Sequence, residues 1–177
     1  MTIYQLRPDA DRFQWLTMVD ERDFDVEALF QGETIRSTWT PKHVIPLVEK
    51  GMPTAPLSDY PVLGTIPTFS RRAVDALRSI LESNGELLPL ASDVGEFYAF
   101  NVTNVIDALD EEQSKLIRFQ SSGRVMSITQ YAFRREALND QMIFKLPQSL
   151  KGRPFVTQTF ADVAKLAGLA GLLFDRL

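Results

Sequence analysis

The chain has 177 residues, a formal net charge of −4, 45% apolar and 24% charged residues, and no cysteine. That composition suits a folded, water-facing domain with a sizeable core, and it excludes disulfides and thiolate chemistry. With a single histidine, an ordinary zinc site also lacks donors.

No apolar run approaches the roughly 20 residues of a membrane helix, so no membrane association is expected. The opening MTIYQLRPDADRF has no basic flank before an apolar core. It reads as no secretory signal, which makes the cytoplasm the expected compartment.

Ile3–Leu6 and Phe13–Val19 read as strands parted by a turn at Pro8–Asp11. In the second, Phe13, Trp15 and Thr17 fall on one side and Gln14 and Leu16 on the other. A polar loop follows, with Asp23 or Asp25 placed to cap a short helix through Phe30 that Gly32 ends. Between residues 33 and 66, Pro41, Pro46, Pro53, Pro56 and Pro61 forbid a long helix. Extended pieces are expected at Ile35–Thr40 and Val44–Val48, joined by a loop through Gly51 and Pro53.

Pro67–Leu90 is the plainest stretch. Ala73, Val74, Leu77, Ile80 and Leu81 recur at three- and four-residue steps, the spacing of one helix face. Ser70 is the expected N-cap, and Gly85 the stop, by taking a left-handed conformation after Asn84. Leu87–Leu90 then reads as a strand that Pro89 confines to a sheet edge or strand end.

Glu96–Val102, rich in aromatic and branched residues, is expected to be a central strand. Asn101–Ser114 leaves the sheet through capping residues. Lys115–Gln120 and Val125–Phe133 read as a hairpin about Ser121-Ser122-Gly123. Its second strand sets Val125, Ser127, Thr129 and Tyr131 opposite Met126, Ile128, Gln130 and Ala132 in a half-buried alternation. A helical turn at Arg134–Asn139 and a strand at Met142–Leu146 follow. Thr159 with Asp162 resembles a capping box for a last helix with Phe160, Val163, Ala164 and Ala167 inward. Gly168 ends it, and Leu172–Phe174 supplies a final strand. The sum is an α+β fold, one domain over 1–177. A mostly antiparallel sheet carries two principal helices, at about 70–83 and 159–167. Residues 1–38 are its least distinctive part.

Searches for chemistry return little. His43 sits in a proline-rich stretch as the sole candidate base for any serine nucleophile, and no glycine elbow flanks a serine. Phosphate-binding glycine loops are absent. Asp107, Asp110, Glu111 and Glu112 could divide acid and base roles in a small hydrolase or hold a hard cation; Asp110–Ser114 reads first, however, as a turn and a helix cap. Arg71-Arg72 and Arg134-Arg135 adjoin helices without an interleaved aromatic platform, which points to ion pairs and away from nucleic acid. A ligand pocket lined by Phe97, Tyr131 or Phe144 is a further alternative. Trp39, in a polar setting before Pro41, is either buried beside the turn or an anchor for a protein partner. No catalytic, cofactor or metal residue set emerges.

Charge is uneven. Residues 93–112 hold six acidic residues and no basic one, whereas residues 113–153 hold eight basic residues against two acidic. Such asymmetry arises by chance on solvated faces or steers a charged partner.

The order and spacing of several segments carry a resemblance. These are Trp39-Thr40-Pro41, the helix opening at Pro67–Leu81, Asn84–Leu90, Phe97–Thr103, Asp107–Asp110 with Ser114, and Gly168–Phe174. Together they resemble the immunity family numbered eleven of bacterial polymorphic-toxin systems, formerly a domain of unknown function, from about Trp39 to the C-terminus. The resemblance implies a protein without catalysis or cofactor that binds and blocks a cognate toxin, protecting the cell that makes both. If that toxin is basic, as a nuclease would be, an acidic surface of Asp107, Glu111 and Glu112 is expected to meet it, with Trp39 as an anchor.

Overall fold

The computed structural model describes residues 1–48 and 55–177, so the expected loop through Gly51 and Pro53 lies outside the described residues. Two sheets form an α+β fold around one shared helix. The first has five strands: β2 (Leu16–Met18), β3 (Lys42–Pro46), β5 (Gly85–Ala91), β6 (Phe97–Val102) and β4 (Thr68–Ser70), in that spatial order. The second orders β11 (Leu172–Arg176), β1 (Ile3–Pro8), β10 (Phe155–Thr157) and β9 (Ile143–Phe144). A separate hairpin pairs β7 (Lys115–Arg118) with β8 (Val125–Gln130). These strands pair antiparallel except for a short parallel contact of β3 with β5, and an isolated parallel bridge joins Val105 to Lys145.

The helix α1 (Arg71–Asn84) lies between the sheets. Ser70 caps it, its hydroxyl accepting from the Ala73 amide at 3.1 Å. All five residues of the expected stripe are buried. They meet Phe69, Phe100 and Val102 of the larger sheet and Leu6, Ile143 and Val156 of the smaller one. Burying each of the larger ones, Val74, Leu77, Ile80 and Leu81, is worth about 1.5–3 kcal/mol, so α1 holds the two layers together.

The helix stop differs from expectation. Gly85 has φ 174°, an extended conformation that starts β5 at once. Its requirement for glycine is spatial: a Cβ there would stand 2.2 Å from the Asn101 carbonyl oxygen and 2.9 Å from the Phe100 ring. Pro89 likewise sits inside the sheet. It is tolerated because its backbone faces away from β6, where β3 pairs only with Leu90 and Ala91, and its carbonyl accepts from the Trp39 indole at 2.9 Å.

As expected, β6 is central. Phe97 and Ala99 face one core while Phe100 and Val102 face the other. The final helix, α2 (Gln158–Leu166), begins earlier than Thr159. β10 runs straight into it, Thr157 occupies the cap position without a side-chain bond, and Asp162 instead accepts from Gln158.

In the N-terminal half, β2 is shorter than Phe13–Val19. The helix that follows is a 3-10 stretch, Glu21–Leu29, capped by Asp20 rather than Asp23 or Asp25. Ile35–Thr40 is not extended, because Arg36–Thr38 makes a 3-10 turn. On the hairpin the half-buried alternation fails. Two irregularities in the β7–β8 register break the period, and only Val125 and Ile128 of β8 are partly covered.

Candidate functional site

The acidic turn after β6 forms an open depression of about 510 Å³ lined by Asp107, Asp110, Glu111, Glu112, Arg134 and Gln148. Backbone pairing sets its shape: Arg134 N donates to Ala108 O at 2.8 Å, and Asp110 N to Ala132 O at 2.9 Å. This places the acidic loop beside the base of the hairpin. Asp110 is the cap of the turn, accepting from the Glu112 and Gln113 amides at 3.1 Å each and from Gln113 Nε2 at 2.8 Å.

Asp107 pairs with Arg134 at 2.9 Å, and the same guanidinium donates to the Leu109 carbonyl. Glu111 accepts from Gln148 Nε2 at 2.9 Å and from Arg118. The Gln148 hydrogen bond, followed by that of Arg118, holds the Glu111 carboxyl below the usual range. Glu112 is exposed and makes no ion pair among the described residues.

Chemically this is a surface of tethered carboxylates. Asp107 and Asp110 share the depression, but one is an ion-pair partner and the other a turn cap. Neither is buried, so the environments that would divide acid and base roles are not built. Among the described residues no group of three or more metal-ligating side chains converges.

Trp39 is half-buried. Its ring meets Phe30 edge-on at 5.9 Å, its indole N–H is spent on Pro89 O, and Lys42 Nζ lies 5.9 Å from the ring. The proposed aromatic pocket dissolves into packing. Phe97 lies in a different core from Phe144, and Tyr131, Phe133, Phe144 and Phe155 stack on one another.

A family model described as the Immunity protein family (Imm11) matches residues 89–177, half of the chain. The chain belongs to this immunity protein family. No curated protein matches it. The matched half holds the acidic turn, the hairpin and α2, whereas Trp39 and α1 precede it. Among the described residues no helix is long and apolar enough to cross a membrane.

Within this family member, His43, Arg71 and Arg72 each lie against a carboxylate. His43 is exposed, 3.9 Å from Asp93. Arg71 bridges Asp75 and Glu96. Arg72 binds Asp59 and the Ala167 and Gly168 carbonyls at the end of α2.

Asp59, Glu86 and Lys145 are among the buried polar residues whose roles the sequence did not show. Asp59 accepts from Ser70, Arg72 and the Ala170 amide. Glu86 accepts from the Ile35 and Arg36 amides and from Asn101. Burial opposes the Glu86 charge, but those bonds, the Ile35 amide first, outweigh it and lower its pKa. Lys145 donates to Phe30 O at 2.9 Å and Leu150 O at 2.6 Å, with no carboxylate partner among the described residues, and burial lowers its pKa to about 8. The available signal was a lone charge inside an apolar run, as in Gly85-Glu86-Leu87-Leu88 and Ile143-Phe144-Lys145-Leu146.

Proposed function

We propose that the chain is an immunity protein that neutralises a cognate toxin by binding it, without catalysis, inside the cell that makes both. Membership of the immunity protein family carries this reading. The state of the acidic turn supports it: Asp107, Asp110 and Glu111 are tied to the chain's own groups and Glu112 is exposed, an arrangement suited to presenting charge rather than transferring protons.

Asp107, Glu111 and Glu112 are the residues proposed to attract the toxin, which on this reading is basic and could be a nuclease. Two arginines, Arg118 and Arg134, face four carboxylates here, so the depression stays acidic and raises the rate of encounter with a basic partner. Trp39 is proposed as an anchor through the part of its ring left exposed. The partner is a protein; neither nucleic acid nor membrane is a direct ligand.

The test is growth rescue. The gene immediately upstream is expressed in a sensitive bacterium with and without this chain, and the two products are pulled down together. Rescue with a recovered complex is the expected result. A toxin that stays lethal and forms no complex would overturn the reading.

A further inference from the structure

The edge strand of an open sheet offers a row of unpaired backbone groups to any extended chain. Most edges of this fold are closed. β2 is covered where Gln14 N donates to Pro56 O at 3.0 Å and Leu16 N to Val62 O at 2.8 Å, and β4 where Ser70 N donates to Asp59 O at 3.0 Å. Asn104 and Val105 lie along β9, with Lys145 N on Asn104 O and Val105 bridged to Lys145. The β7–β8 hairpin is blunted by its two register irregularities and by Lys115 and Arg118.

β11 has none of these devices among the described residues. It pairs with β1 from Tyr4↔Arg176 to Pro8↔Leu172 without a break, and it holds no proline or lysine. Asp9 N donates to Gly171 O and Leu177 N to Ile3 O, which fixes the alternation of the ladder. Leu173 and Asp175 therefore bond to Arg7 and Gln5, and the N–H and C=O of Leu172, Phe174 and Arg176 point to the open edge. No hydrogen bond reaches those groups among the described residues. Side chains alternate as well. Leu172 and Phe174 pack on the core around α1, which turns Leu173 and Asp175 to the outer face, where Asp175 pairs with Arg7 at 2.7 Å.

We propose that β11 pairs with β11 of a second copy of this chain, antiparallel about a two-fold axis through Phe174, joining two four-stranded sheets into one. In that register Leu172, Phe174 and Arg176 meet Arg176, Phe174 and Leu172 of the second copy, so every open N–H finds a carbonyl. The two Phe174 residues stand side by side. Asp175 lies opposite Leu173 of the second copy, which keeps like charges apart. An axis through Asp175 would set the two carboxylates against each other. One through Leu173 would set Arg176 against Ala170, whose N–H and C=O are already spent on Asp59. The pairing consumes the bare edge of each chain, so assembly closes at two. It stands apart from the immunity reading and does not rest on it.

Sedimentation equilibrium and residue-resolved amide exchange of the purified chain test this. The mass is expected to rise with concentration from 20.0 kDa to twice that value. Exchange at Leu172, Phe174 and Arg176 should slow in step, while that at Leu173 and Asp175 stays unchanged. Arg176→Pro removes an outward N–H at an exposed strand end and no bond within the chain; it is expected to weaken self-association about tenfold or more. Leu173→Asp gains Arg7 as its cross-strand neighbour within the chain but faces Asp175 of the second copy. It is expected to weaken the dimer about tenfold at low salt, whereas Leu173→Lys should pair at least as tightly as the wild type. A mass of 20.0 kDa at every concentration overturns the proposal. So does a dimer that all three variants form as tightly as the wild type, or one that leaves the Leu172, Phe174 and Arg176 amides unprotected. Protection of those amides only when the product of the upstream gene is added also overturns it, by giving the edge to a strand of the toxin.

Discussion

Arg72, in the first turn of α1, binds Asp59 at 2.6 Å and with its other nitrogen holds the Ala167 and Gly168 carbonyls at 3.1 and 2.9 Å. One guanidinium thus joins the start of α1, a buried carboxylate and the C-terminus of α2, where a cation also suits the helix dipole. Arg72→Met is expected to cost about 2 kcal/mol, because it leaves the Asp59 charge underpaired in the interior. Urea unfolding should show a lower midpoint with an unchanged slope.

Lys145 makes stability rise in mild alkali. Its pKa falls from 10.5 to about 8 in the fold because burial disfavours the charge. Below pH 8 both folded and unfolded chains carry the proton and the full penalty applies; between pH 8 and 10.5 only the unfolded chain keeps it, so the penalty is relieved. Unfolding free energies of the wild type and Lys145→Met, compared at pH 7.5 and pH 10, should shift in favour of the wild type by up to about 3 kcal/mol.

Glu86 acts with the opposite sign. Its carboxyl is held below the ordinary 4.5 by hydrogen bonds that outweigh burial. Its stabilisation is therefore complete above pH 4.5 and is lost as pH falls through the lower folded value. Melting temperatures between pH 5 and pH 3 should fall more steeply for the wild type than for Glu86→Gln, which starts from a lower value at pH 5.

Gly85 and Gly123 separate contact from conformation. A Cβ at Gly85 meets backbone at 2.2 Å, whereas at Gly123, with φ +67°, nothing lies within 4 Å. Gly85→Ala is expected to cost about 2–3 kcal/mol through displaced strands, and Gly123→Ala about 1 kcal/mol through left-handed strain alone. Chemical denaturation of the two variants compares them directly.

Within the acidic turn, Glu112→Lys is the cleanest probe of steering, since Asp107 and Glu111 also hold Arg134 and Arg118. Association with the toxin should slow several-fold at low salt with unchanged stability. The corresponding reversals at Asp107 and Glu111 should lower the melting temperature as well.

Periodicity made the buried stripe of α1 legible and its ends to within one residue, because a helix buried along one stripe repeats its apolar positions at a fixed step. The central position of β6 was legible for the related reason that both of its faces are apolar. Residues whose roles come from distant partners left no such trace. Gly85 needs the space taken by Asn101 O, Pro89 survives inside the sheet because no partner strand requires the N–H it lacks, and Asp59 draws partners from two separate segments. The acidic turn was readable as a run of carboxylates. The pairing of two of them, Glu111 and Asp107, with Arg118 and Arg134 required the hairpin to fold back beside it. The outward turn of Trp15 and Thr17 was partly visible in their alternation, and Ile45 lies in the extended piece expected at Val44–Val48, but the pairing of the two strands left no trace in the sequence.

The central claim is neutralisation by binding, and a stoichiometric titration tests it most directly. Increasing amounts of this chain are added to a fixed amount of the toxin from the upstream gene while residual toxin activity is followed. The account predicts a linear fall that ends near one chain per toxin, with activity recovered when the complex is dissociated. Complete and lasting inactivation by a small fraction of an equivalent would contradict it, because only a catalyst neutralises many toxin molecules in turn.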